Sequence, residues 1–141
     1  MSRPDLKALI VGPEFRSAAG RARIAADLAR DGIRLAYATS QDEAALWLCD
    51  NDPSIVLIDL ELADGSPLAV ADFCNYRRPE ARVLLQGGGH LFTDGSIFGL
   101  VGNAHALVPA QMSEADIASL MAFHSHAAKA PMDRWQAVAP A

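Results

Sequence analysis

Short apolar blocks recur along the chain, each followed by a longer stretch in which apolar positions return every three or four residues. The first kind of pattern is that of buried strands and the second that of amphipathic helices. Leu6 to Val11 is a first strand, stopped by Gly12-Pro13. Phe15 to Arg30 reads as a helix. Ala18, Ala22, Ala25, Leu28 and Ala29 lie on its inner face, Arg16, Arg21, Arg23, Asp27 and Arg30 on its outer face, and Asp31-Gly32 ends it. Ile33 to Thr39 is the second strand. Ser40-Gln41-Asp42-Glu43 has the form of a capping box, in which hydroxyl and carboxylate satisfy each other's backbone N–H groups. The helix it opens carries Ala44 to Leu48 and ends before Pro53.

Ile55-Val56-Leu57-Ile58 is apolar at every position, as the middle strand of a parallel sheet must be when both of its faces are covered. This strand ends on a carboxylate, Asp59. Chemistry in open α/β sheets gathers at the carboxyl ends of the strands. Asp59 is therefore either a functional group or the cap of the turn that follows. Glu61 to Pro67 has loop composition, and Pro67 suits the first turn of a helix running to about Tyr76. Arg82 to Gln86 is the fourth strand and Ala104 to Val108 the fifth, stopped by Pro109. A last helix starts at Ser113, with Ile117, Leu120, Met121 and His124 facing inward. Strands alternating with helices predict a three-layer, doubly wound α/β fold with five parallel strands and right-handed crossovers. The domain should span 1–129, with 130–141 as a C-terminal tail.

Between the fourth and fifth strands, residues 87–102 hold six of the ten glycines of the chain. Each glycine costs a helix roughly 1 kcal/mol relative to alanine, so a helix here should be short or irregular. The same stretch carries Leu91, Phe92, Ile97, Phe98, Leu100 and Val101, a ready apolar contact surface.

Composition narrows the function. The 141 residues suffice for one domain with its own core, and the net charge of -5 gives no attraction to nucleic acid or anionic lipid. No window approaches a membrane span and the N-terminus lacks the apolar run of a secretory signal, so the expectation is a cytoplasmic protein. Cys49 and Cys74 should be reduced thiols packed as small hydrophobes. Gly87-Gly88-Gly89 is not followed by the lysine of a nucleotide-binding loop, and the four histidines lack the spacing of a zinc site. Asp59, Asp64 and Glu14 have no nucleophile–base arrangement beside them, so no enzyme activity is expected.

Leu9-Ile10-Val11 followed by Glu14 and Arg16, Ile55 to Asp59 followed by Leu60 and then Asp64-Gly65, and Leu107-Val108-Pro109 resemble the CheY-like receiver domain of bacterial response regulators. The likeness runs from about Leu6 to Lys129. It implies the flavodoxin-like strand order 2-1-3-4-5 and a phosphoacceptor position at Asp59. It also implies an acidic pair for Mg²⁺ after the first strand, a hydroxyl residue ending the fourth strand, and a lysine before the proline after the fifth. This chain has Gly12-Pro13, with Glu14 next, in place of the pair. It has Gln86 or Gly87 in place of the hydroxyl and Val108 in place of the lysine. Losing one preorganised donor costs roughly 10²–10³ in rate, so a site lacking all of them should retain little activity. The resemblance thus implies a stand-alone pseudo-receiver without a cofactor. It would bind a protein of a two-component pathway, or its own copy, through a face containing Phe92, Ile97, Phe98, Leu100 and His105. The alternative is an active phosphoacceptor with a rearranged site, in which Glu14 and Asp59 hold Mg²⁺.

Overall fold

The computed structural model describes residues 6–12, 18–62, 64–87, 104–109 and 111–128, with residues 104–107, 127 and 128 described by backbone alone. In chain order the elements are β1 (Leu6–Val11), α1 (Ala18–Arg30), β2 (Ile33–Ala38), α2 (Gln41–Asp50) and β3 (Ile55–Asp59). They continue with α3 (Pro67–Arg77), β4 (Arg82–Gly87), β5 (Ala104–Pro109) and α4 (Glu114–Ala128). The five strands form one parallel sheet in the order β2-β1-β3-β4-β5. The predicted α/β architecture and strand order are thus observed. Residues 88–103, where the irregular fourth helix was expected, and the tail lie outside the described residues.

The central strands are covered on both faces, which explains their unbroken apolar sequence. Leu9, Val11, Val56, Ile58, Val83 and Leu85 point to one side, where Ala44 and Leu48 of α2 and Val70, Ala71 and Cys74 of α3 pack on them. Ala8, Ile10, Ile55, Leu57, Leu84 and Val108 point to the other side, against Ile24 and Leu28 of α1 and Ile117 and Met121 of α4. Each of these large side chains contributes about 1.5–3 kcal/mol by leaving water.

Local signals set the element ends. Ser66 caps α3 by accepting from Ala69 N at 3.2 Å, with Pro67 in the first turn. Gly32, at φ 78°, takes the left-handed conformation that stops α1. Orphan carbonyls at the end of α2 are met by the end of the neighbouring helix α3. Arg77 and Arg78 donate to Cys49 O at 3.2 and 3.1 Å, and Arg78 Nε donates to Leu48 O at 2.9 Å.

Three expectations are corrected. The buried residues of α1 are Ile24 and Leu28, while Ala18, Ala22 and Ala29 are exposed, because two large side chains orient the helix more strongly than several methyl groups. Arg21, assigned to the outer face, is half-buried with its guanidinium 5.9 Å from the centre of the Tyr37 ring. Cys49 is exposed rather than packed, since it follows Leu48 on α2 and turns away from the sheet, whereas Cys74 is buried. Burial pushes the Cys74 thiol up to about 12.

Candidate functional site

The sheet register builds the site. Val11 lies beside Ile58, so the chain leaving β1 at Gly12 runs past Asp59 at the end of β3. Asp59 is paired with Gln86, and Gln86 with Val108. Side chains alternate along a strand, and Leu57, Leu84 and Val108 all belong to the α1–α4 side. Asp59, Gln86 and Val108 therefore share that face. Gly87, the other residue considered for the end of β4, points to the opposite face. A side chain there would begin 2.8 Å from Leu60 Cδ1.

Asp59 is half-buried, and its carboxylate is engaged by the turn it opens. Oδ1 accepts from Glu61 N at 2.9 Å, while the Asp59 carbonyl accepts from Leu62 N at 3.1 Å. A side chain accepting from the backbone two residues on is an Asx turn, the capping role that the sequence left open. The β3–α3 loop is held from its far side as well. Gln41 N donates to Asp64 O at 2.9 Å and Gln41 Oε1 accepts from Ser66 N at 2.9 Å, with Gly65 at φ 108° packed against the Gln41 side chain.

Gly12 sits hard against the carboxylate. A Cβ on Gly12 would lie 2.9 Å from Asp59 Cβ, a separation that real Cβ atoms do not tolerate without a shift. Gln86 is 2% exposed and its Nε2 donates to Pro109 O at 3.0 Å. Its Oε1 is buried with no hydrogen-bond partner among the described residues. Val108 is buried and apolar, with no donor to offer. A magnesium ion needs several oxygen ligands in near-octahedral array. Among the described residues no group of three or more acidic, histidine or cysteine side chains gathers, and Glu14, the second carboxylate of the alternative site, lies outside them.

The structure thus brings Gly12, Asp59, Gln86 and Val108 to one end of the sheet. Pro13, Glu14, Phe92, Ile97, Phe98 and Leu100 lie outside the described residues. His105 is described by its backbone alone. It falls at a register shift, where Val83 pairs with Ala104 and Leu84 with Ala106. The role of Gln41 was invisible in sequence, where it is only the second residue of a capping box; its partners come from a loop after the next strand. The bond from Arg82 to His124 Nδ1, at 3.2 Å, was equally hidden, although His124 packs inward as its helical position predicted.

No family model and no curated protein sequence matches the chain. Solved structures do. A CheY-like response regulator receiver domain protein from Methanospirillum hungatei is 17% identical, with 88% of this chain and 96% of that chain covered at a TM-score of 0.72. A response regulator protein from Burkholderia pseudomallei, with a phosphorylated aspartic acid, calcium ion and citrate, is 21% identical over 89% of this chain and 74% of that one, at 0.65. A protein described as adenylate cyclase from Rhodopirellula baltica is 12% identical over 96% and 98%, at 0.76. At these identities the likeness defines the fold, that of CheY-like receiver domains. The different names carried by that fold show that it does not by itself fix an activity.

Proposed function

We propose that this chain is a receiver-fold signalling protein of a bacterial two-component pathway that acts through protein contact and not through phosphoryl transfer. The observation that carries this reading is the approach of Gly12 to Asp59: a Cβ there would stand 2.9 Å from Asp59 Cβ. An acidic side chain at that position would have to displace the carboxylate it was meant to assist. Two further features support the reading. Gln86, across from Asp59, offers no hydroxyl and directs one of its two amide N–H groups to Pro109 O, and the Val108 side chain supplies no cation to a phosphoryl oxygen. Asp59 itself serves as a turn residue through Glu61 N.

Contact as the mode of action needs a surface for it, and α4 offers one candidate. Phe123 on α4 is 67% exposed, a large apolar side chain held out in solvent. We take it as a candidate contact for a protein partner or a second copy of the chain.

The test is intact-mass measurement after incubation with acetyl phosphate and Mg²⁺, with beryllofluoride binding followed in parallel by fluorescence. The expected result is an unchanged mass and an unchanged spectrum. A labile phosphoryl adduct on Asp59 would overturn the proposal in favour of the active phosphoacceptor.

A further inference from the structure

The amide of Gln86 reaches out of its own strand to the corner where β5 turns into α4. Its Nε2 donates to Pro109 O at 3.0 Å, and the same carbonyl accepts the backbone N–H of Met112 at 3.2 Å. Met112 thereby closes the turn that leads from β5 toward α4. Ser113 follows, its hydroxyl accepting from Asp116 N at 3.2 Å and its carbonyl from Ile117 N at 2.9 Å. One carbonyl therefore joins the end of β4, the end of β5 and the entry to α4.

Stability alone does not account for a glutamine here. Gln86 is 2% exposed, and its Oε1 makes no hydrogen bond with a described residue. A buried acceptor without a partner carries the desolvation penalty of an unmade bond, which an apolar side chain of similar volume would avoid. What the apolar side chain could not do is hold Pro109.

We propose that the Gln86 carboxamide is a latch that keeps the β5–α4 corner drawn against β4 in one arrangement, whatever the state of Asp59. The latch deepens the phosphorylation-independent reading and rests on it for its meaning: a partner that reads this corner would find it permanently set. The β3–α3 loop is held by Gln41 as well, its backbone N–H donating to Asp64 O and its side-chain Oε1 accepting from Ser66 N.

The test is amide hydrogen exchange on the full chain in wild type, Gln86→Met and Gln86→Leu. Both side chains remove the donor, and methionine also conserves the volume. In both variants the Met112 amide should exchange roughly fivefold faster, the ratio a net hydrogen bond ordinarily amounts to. Ile117 should follow, while the β1 and β3 amides keep their rates. The Gln86→Met protein should also melt at or above the wild-type temperature. Met112 protection equal to wild type in Gln86→Met overturns the latch. So does a uniform rise across all elements, or a variant that fails to fold, since either makes Gln86 an ordinary core residue. Mass spectrometry of the wild type with a phosphodonor runs beside this. An adduct there with the exchange result intact would sink the functional reading and leave the latch standing.

Discussion

Gly12 is required for the room it leaves rather than for its backbone freedom. Positive φ among the described glycines occurs at Gly32 and Gly65 and not at Gly12. A methyl group at Gly12 must push on Asp59, and overpacking of this kind costs typically about 1–3 kcal/mol. Gly12→Ala should therefore lower the urea midpoint, whereas Gly12→Asp should fail to create Mg²⁺ binding when titrated by calorimetry. The two thiols give a second test at this scale. Cys49 is exposed and Cys74 is buried with its thiol held at about 12, so iodoacetamide at neutral pH should modify one thiol in the native protein and two in urea. A second label on native protein would mean that the α2–α3 side opens more readily than its packing implies.

Among the elements, the start of α2 shows how far the sequence could be read. The Ser40 to Glu43 pattern announced a cap, and Ser40 Oγ does accept from Glu43 N at 3.1 Å. The carboxylate, however, turns to Thr39, accepting its N–H at 2.7 Å and its hydroxyl at 3.0 Å instead of the Ser40 N–H. Ser40→Ala should cost about 1 kcal/mol in thermal or urea unfolding, the usual value of a helix cap. The two bonds from Thr39 hold the Glu43 carboxyl below its ordinary 4.5. Because the folded value is lowered, the contribution is present above 4.5 and is lost as pH falls through the folded value. The stability difference between wild type and Glu43→Gln should therefore narrow in acid unfolding measurements below that pH. Strand limits such as Leu6–Val11 were legible because apolar blocks meet turn residues within a few positions. The contact of Gly12 with Asp59 was not legible, nor was the bond from Gln86 to Pro109. Each joins residues brought together only by the register of neighbouring strands, and the sequence could place Asp59 at a strand end without showing what surrounds it.

At the scale of the whole molecule, the sheet is a platform covered on both faces, by α2 and α3 on one and α1 and α4 on the other. Phe123 stands out from α4 without holding the core together, so Phe123→Asp should change the unfolding free energy by no more than about 0.5 kcal/mol. The same substitution should weaken association with a partner or with a second copy, read by sedimentation across a concentration series; equal behaviour of both proteins would remove α4 from the contact. The register shift at β5 limits how such an association can be built. β5 is the outer strand beyond β4, and one extra residue between Ala104 and Ala106 breaks the even spacing of its backbone groups. A kinked margin is a poor template for another strand, which protects the protein from edge-to-edge aggregation. Copies of this chain that meet on that side would have to do so through helices and side chains, not by extending the sheet.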